Sequence, residues 1–486
     1  MSDSTYRLTI GGESVEGAAG TYDIINPATE EVAGRAPEAS VDQANAAVDA
    51  AADAFEAWSR TTPEQRAELL ERAADLIDEH RDEIVPVLQA ETGATMRVAK
   101  TMQFPQAGAR LRRYATGALE PTIDPLPPAV MPTTALAPGG LISAVANRAP
   151  VGVVTCITSY NFPMTNMAGK IGPALAMGNT VVVKPAPQDP LGVLRMVELM
   201  NEAGFPPGVV NVVTGQAIAP SEAVVAHPRT DMVSFTGSTQ VGQRIGEVCG
   251  RNMKRQLMEL GGKGACIVFD DADLKAAIAG ISSVFGFHSG QICTSPTRVI
   301  VHRSIHDHLV GGLQQAMGHM KVGDPLERDT VVGPVISGAH RERIEGYVRT
   351  GVDEGATIAA GGERPDMDRG FYVAPTLLVD CTNQMTPVRE ELFGPVVVVV
   401  PFDDEDEAIA IANDSDYGLY SYVFSADTGR AWDVAKRLRS GNVGINTLQR
   451  NHEAPFGGFK QSGVGRDGGS YGLRAYSELQ SIVWPG

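Results

Sequence analysis

Apolar positions fall into two regimes along the chain: helical stripes dominate the first hundred residues, and short apolar runs alternating with helical stretches take over from about residue 151. The segment Val41 to Trp58 is amphipathic and rich in Ala. From Thr62 the text reads as a helix start, with Thr62 as N-cap, Pro63 at the first helical position and Gln65 three residues after the cap. Leu70, Ala73, Ala74 and Ile77 then recur at helical spacing and form a stripe for burial, while Glu71, Asp75 and Asp78 face water. The opening hundred residues are therefore expected to be mainly helical after a short strand-like start. Pro121, Pro125, Pro127, Pro128, Pro132 and Pro138 break that pattern between Glu120 and Gly140, which reads as a linker or an excursion.

Val151 to Thr158 is a short apolar strand, and Gly178 to Pro185 is a second one entered from a Gly-Asn turn. Val209 to Val213 and Met232 to Phe235 add two more, each reached through a helical stretch. Strands alternating with helices imply a parallel sheet, here half of a Rossmann-like domain. The alternation restarts after Gly261 with Ala265 to Phe269, Arg298 to Val301 and Val396 to Val400, so a second α/β domain is expected. A length of 486 residues agrees, because it exceeds what one hydrophobic core usually supports. No internal repeat or low-complexity tract is evident.

A formal net charge of −18 argues against nucleic acid as a partner, since phosphates need a positive field. Five cysteines, Cys156, Cys249, Cys266, Cys293 and Cys381, are scattered, with no pairing of the kind that holds zinc; no metal is expected, and reduced thiols are the default. The start, Met1-Ser2-Asp3-Ser4-Thr5-Tyr6, lacks a basic segment followed by an apolar run, and no stretch reaches the roughly 18 apolar residues of a membrane span. The expectation is a cytoplasmic protein with no membrane partner.

Two short stretches carry candidate chemistry. In Gly290-Gln291-Ile292-Cys293-Thr294 a Cys follows a Gly-containing turn that can expose its sulfur, although a lone thiol is more often a buried structural residue. In Leu257-Met258-Glu259-Leu260-Gly261-Gly262-Lys263 a carboxylate is embedded among apolar residues; taken singly it reads equally as a helix-terminal acid or a salt-bridge partner. No G-x-G-x-x-G follows the first strand of the first sheet. Gly237-Ser238-Thr239-Gln240-Val241-Gly242 instead follows the strand ending near Phe235, which alone is a weak dinucleotide signal.

Over nearly its whole length the chain resembles the aldehyde dehydrogenase superfamily. The resemblance rests on Thr158-Ser159-Tyr160-Asn161-Phe162-Pro163, Lys184-Pro185, Phe235-Thr236-Gly237-Ser238, Glu259-Leu260-Gly261-Gly262, Gly290-Gln291-Ile292-Cys293, Glu391-Leu392-Phe393-Gly394-Pro395 and Pro455-Phe456-Gly457-Gly458, in the family's order. It implies an α/β, aldehyde dehydrogenase-like fold: a Rossmann-like cofactor domain (residues 1–126 and 149–259), an α/β catalytic domain (260–461) and a small β oligomerisation element (127–148 and 475–486). Homodimers or homotetramers would form by pairing the strand Ser477 to Trp484 between subunits.

The resemblance also implies oxidation of an aldehyde to the carboxylic acid with NAD(P)+. Cys293 would attack as thiolate, giving a thiohemiacetal whose oxyanion is held by the Asn161 side-chain amide and the Cys293 N–H. After hydride loss, Glu259, its pKa lifted by burial, would activate water against the thioester. Lys170 matches a lysine near the family's active site, where it supports proton transfer or orients Asn161; a surface lysine is the plain alternative. Ser238 and the helix N-terminus after Gly237 would lie near the pyrophosphate, Lys184 at the adenosine ribose, and Glu391 with Phe393 at the nicotinamide ribose and ring. Thr158, Tyr160 and Leu260 fall in the same cofactor-binding motifs.

One departure bears on cofactor choice: Pro187 stands where NAD-preferring members often carry a Glu that repels a 2′-phosphate, so repulsion of NADP is weakened; NAD is the expected cofactor and NADP the alternative. Phe162, Phe287 and Phe456 are placed around the substrate channel, favouring an apolar or aromatic aldehyde, with core packing as the alternative for each. Arg450 and His452 could meet a carboxylate at the far end of a semialdehyde, though solvation at the surface is the expected fate of both. The rival readings are a coenzyme A-acylating semialdehyde dehydrogenase, which generally lacks the base at Glu259, and a non-catalytic nicotinamide-binding scaffold protein.

Overall fold

A computed structural model of the chain describes residues 6–486; the reading of the N-terminal start falls largely on residues 1–5, outside the described residues. The first helices follow their local signals. Helix Pro63–Glu79 starts with the expected capping box: Thr62 accepts from the Gln65 N–H, and the Gln65 side chain accepts from the Thr62 N–H at 2.9 Å. Leu70, Ala73, Ala74 and Ile77 are all fully buried. Helix Val41–Ser59 is capped in the same way by Ser40 and Gln43.

The eight-stranded first sheet has a parallel centre, Arg255–Glu259, Met232–Thr236, Val153–Ile157, Thr180–Lys184 and Val210–Val212, in that spatial order. In chain order Val153–Ile157 comes first, yet it lies between Met232–Thr236 and Thr180–Lys184. The winding direction therefore reverses at its side, which makes this a topological switch point. Strands Leu8–Ile10 and Gly463–Val464 add antiparallel pairings toward the two edges. The short start thus completes this sheet, from across some two hundred residues.

Seven strands build the second sheet, and all but Thr357–Ala360 are parallel to their neighbours. Its strand Val396–Phe402 is covered on both faces, which is why it reads as an unbroken run of Val rather than an alternation. The Pro-rich excursion is not a loose linker. Ile123–Met131 is a strand paired with Gly140–Pro150, which pairs in turn with Ser477–Pro485. This three-stranded sheet exposes Val130, Leu479, Val483 and Trp484, and the loop joining its first two strands exposes Leu136. No helix among the described residues is long and apolar enough to cross a membrane.

Candidate active site

The switch point positions the first half of the site. Register places Ile157 beside both Lys184 and Phe235, and Thr236 beside Glu259, so Thr158, Lys184, Gly237 and Glu259 emerge along one edge of the sheet. The second sheet contributes the loop before strand Arg298–His302, which carries Cys293. Between them opens a cavity of about 850 Å³ that brings together Tyr160, Asn161, Phe162, Gly237, Ser238, Glu259, Leu260, Phe287, Cys293, Glu391, Phe393 and Phe456.

The cysteine loop is held in a conformation most residues avoid. His288 and Ser289 adopt φ values of 50° and 52°, and Gly290 follows at 74°, where a Cβ would lie 2.1 Å from the Gly394 carbonyl. Ser289 Oγ donates to the Gly333 carbonyl at 2.7 Å, and Gln291 Oε1 accepts from the Ile336 N–H at 3.0 Å. Cys293 is half-buried, whereas the other four cysteines are buried. Burial, reinforced by the Glu391 carboxylate, pushes its thiol up to about 12 against the opposing charge of Arg450. For Cys293 to attack as thiolate, this environment has to let it lose its proton as it attacks.

Asn161 reaches this loop directly. Its Oδ1 accepts from Ser159 Oγ at 2.8 Å and Asn166 Nδ2 at 3.2 Å, and its Nδ2 donates to the Gln291 carbonyl at 2.9 Å, two residues before Cys293. One amide N–H is thus spent on fixing the loop, and the other remains for an oxyanion.

Glu259 ends its strand 4 % exposed, with neither carboxylate oxygen partnered. Burial and the neighbouring Asp467 hold its pKa well above the usual carboxylate range, against the pull of Lys170 and Arg450. Lys170 is not a surface lysine: it is 1 % exposed, its ammonium donates to Ser234 Oγ at 3.1 Å, and Ser234 Oγ shares a hydrogen bond with Tyr476 OH at 2.8 Å. Burial lowers its pKa, opposed by Asp467 and Glu259.

The remaining edge residues fit a dinucleotide. Ser238 caps helix Thr239–Arg251, giving a 13-residue helix whose N-terminus can receive a pyrophosphate. Lys184 is buried and donates to the Pro185 and Gly215 carbonyls at 3.0 and 3.2 Å; burial lowers it to about 8. Thr158 Oγ1 is buried with no partner at the end of its strand, beside the cavity-lining Ser159. Leu260 packs so closely on Gly242 that a Cβ there would come within 2.5 Å. Glu391 accepts the Gly262 N–H at 2.8 Å, and burial raises it to about 7. Phe393 stands edge-on to Tyr160, with ring centroids 5.8 Å apart. Pro187 is half-buried and offers no acid. Glu38, which the sequence did not single out, supplies a carboxylate nearby by accepting the Gln216 and Ala217 N–H groups at 3.0 Å each.

Phe162 and Phe287 line the cavity with ring centroids 6.2 Å apart. Phe456 lies beneath Arg450, whose guanidinium carbon is 3.7 Å from the ring centroid. The expected solvation of Arg450 is therefore corrected: stacking on Phe456 draws it into the cavity, while His452 is exposed as expected. Sequence reasoning missed Arg110, His340, Arg343 and Asp467, all near the site. His340 Nε2 donates to the Phe393 carbonyl at 2.8 Å and Arg343 donates to the Glu391 carbonyl at 3.2 Å, so helix Gly338–Asp353 buttresses that loop. Only Asp467 left a signal, an acid among glycines in Gly465-Arg466-Asp467-Gly468-Gly469.

A doubly wound sheet whose switch point faces a cysteine loop from a second α/β unit is the build of a dinucleotide-dependent, thiol-using oxidoreductase. Comparison with known proteins narrows the class: the sequence model of the aldehyde dehydrogenase family matches residues 14–482, and the chain belongs to that family. Phenylacetaldehyde dehydrogenase of Pseudomonas fluorescens is 38% identical over 490 residues, covering 98% of this chain and 95% of that protein. A 3-succinoylsemialdehyde-pyridine dehydrogenase of a Pseudomonas species is 38% identical over 464 residues, covering 95% and 94%. Among solved structures, betaine aldehyde dehydrogenase of Staphylococcus aureus in complex with NAD+ superposes with a TM-score of 0.94 at 38% identity, covering 99% of this chain and 95% of that one.

Proposed function

We propose that this enzyme oxidises an aldehyde to the free carboxylic acid with NAD, using Cys293 as nucleophile, Asn161 as oxyanion donor and Glu259 as base. The observation that carries the reading is the convergence of these three on one cavity, with both Glu259 oxygens unpartnered. A buried carboxylate without a partner is costly unless it has a use, and a pKa raised by burial makes it a stronger base than an exposed carboxylate. Glu259 is read as the base that activates the water that releases the acid. The free N–H of Asn161 and the backbone N–H of Cys293 hold the oxygen of the tetrahedral adduct. Lys170, held by Ser234, supports the charge balance around Glu259 by its charge. NAD, when bound, supplies the hydride acceptor; Ser238 with its helix N-terminus, Lys184, Thr158 and Glu391 would hold it.

NAD rather than NADP is supported by the NAD+ complex of the Staphylococcus aureus relative and by Glu38, which places a carboxylate beside the Lys184–Gly215 contact although Pro187 supplies none. The apolar residues on the three-stranded sheet support self-association through Ser477–Pro485, as a homodimer or homotetramer. The chain is read as cytoplasmic, with free thiols throughout.

Turnover of a panel of aliphatic, aromatic and carboxylate-bearing aldehydes, with NAD and NADP in parallel and no coenzyme A, tests the reading by reduced-nicotinamide absorbance. Turnover is expected with NAD preferred. Activity that requires coenzyme A would replace hydrolysis by acyl transfer.

A further inference from the structure

The cavity holds charge that the proposed reaction does not use. Four arginines, Arg110, Arg113, Arg343 and Arg450, line it, and Arg343 is spent on the Glu391 carbonyl. Arg113 is fully engaged, ion-paired to Glu453 and Glu120 and hydrogen-bonded to Ser470. Arg110 and Arg450 are different: among the described residues neither has a carboxylate within 4 Å. Arg450 lies flat on Phe456, so its π face is occupied while its N–H edge makes no hydrogen bond to the protein among the described residues. Arg110 donates from Nη1 to the Thr165 carbonyl at 3.2 Å and keeps its other donors free. Room for it is built into helix Pro163–Ala176: a Cβ on Gly169 would come within 2.2 Å of Arg110 Nη1. The two cations are near enough that Arg110 depresses the pKa of Arg450.

Two unpaired guanidinium groups in a shared cavity repel each other and have lost part of their hydration, a cost removed by an anion that bridges them. The planar fork left free on Arg450 matches a carboxylate, which can accept two parallel N–H bonds. Phe162, Phe287 and Tyr422 also line the cavity, which suits an uncharged middle of the substrate.

We infer that the aldehyde taken by this cavity carries a carboxylate at the end remote from the reacting carbon, received between Arg450 and Arg110: the substrate is a semialdehyde. The inference rests on the reading that Cys293 attacks an aldehyde. A competing role for Arg450, easing ionisation of Cys293 and Glu259 by its charge alone, affects every aldehyde equally, and this difference supplies the test.

For the full-length enzyme with NAD, kcat/KM is measured for a homologous series of semialdehydes, for the isosteric amide of each, and for a trimethylammonium aldehyde. The carboxylate is expected to be preferred over its amide by about tenfold or more, and the cationic aldehyde to be poorest. Arg450→Gln should lower the carboxylate-to-amide ratio about 10–100-fold, chiefly through KM, and Arg450→Lys should recover only part of it, because it restores charge without the fork. A ratio that does not move in Arg450→Gln, or a preference for the amide or the cation, overturns the inference while leaving aldehyde oxidation standing. A second readout does not depend on turnover. In Cys293→Ala protein, the dicarboxylate corresponding to the best semialdehyde should raise the unfolding midpoint, and the added change Arg110→Gln or Arg450→Gln should remove that rise. If no aldehyde is turned over, the proposed function fails, and the dicarboxylate shift still decides the anion site: its absence overturns the site, and its loss on removing either arginine supports it.

Discussion

Arg112 on the surface sits among Glu71, Asp75 and Asp78 at 3.7, 2.7 and 2.7 Å, and Arg195 gathers Glu83, Glu198 and Glu202 in the same manner. In the cavity, among the described residues, Glu259 has no partner for either oxygen and Arg110 and Arg450 have no acid within ion-pair distance. The first arrangement occurs where water already screens the charges, so each contact contributes little to stability. The second occurs where an unpaired group is costly, and the fold retains it nonetheless. Charge left unsatisfied in a crevice marks a place where a reaction can complete the pairing, whereas the satisfied clusters around Arg112 and Arg195 mark only a surface.

That contrast is broken most severely at the thiol. Cys293→Ala is expected to reduce NAD-dependent turnover to the assay background while the far-ultraviolet circular dichroism and the cofactor affinity persist; retained turnover would move the nucleophile elsewhere. Glu259→Gln comes next. It should slow the steady state by about 10²–10⁴-fold while a pre-steady-state burst of reduced cofactor survives, because acid release waits for the base and hydride transfer does not. Its pH profile carries the sign: burial raises the pKa of Glu259, so the native enzyme loses activity as pH falls and the carboxylate takes up its proton, with the acid limb displaced to the alkaline side of an ordinary Glu. In Glu259→Gln that limb should vanish, as read from kcat against pH.

Asn161→Ala should cost about 10²–10³ in kcat through loss of the oxyanion donor, measured at saturating aldehyde. Pro187→Glu should lower the kcat/KM ratio of NADP to NAD and leave the burst in place; an unchanged ratio would show that the ribose is read by other groups. At the small end, Arg112→Ala should change unfolding stability by less than about 1 kcal/mol in denaturant titration despite removing three ion pairs.

The legible part of this protein was local. The Thr62 and Gln65 capping box lies within four residues, and the Val run at 396–400 declares a strand covered on both faces. The candidate site residues Cys293, Glu259 and Asn161 stood out through the family resemblance that their contiguous motifs carry, and register then explains why Lys184, Thr158 and Glu259 share one edge. What escaped depends on returns of the chain. Arg450 reads as a solvated loop residue until Phe456 is placed beneath it, and Arg110 is one arginine among several on helix Phe104–Ala118 until Gly169 opens room beside it. His340 and Arg343 lie in an ordinary amphipathic helix, and only the fold brings them against the Glu391–Phe393 loop. The Pro-rich stretch suggested an excursion because Pro disfavours strands, yet Ile123–Met131 pairs with Gly140–Pro150 across a register shift between Leu126 and Ala129.

The most direct test of the account is intact-protein and peptide mass spectrometry of Glu259→Gln quenched during turnover of an aldehyde with NAD and without coenzyme A. An acyl adduct, heavier by the acid less water and located on the peptide carrying Cys293, is the predicted result. Rapid formation of reduced cofactor with no adduct on Cys293, or with the adduct on another residue, would contradict it.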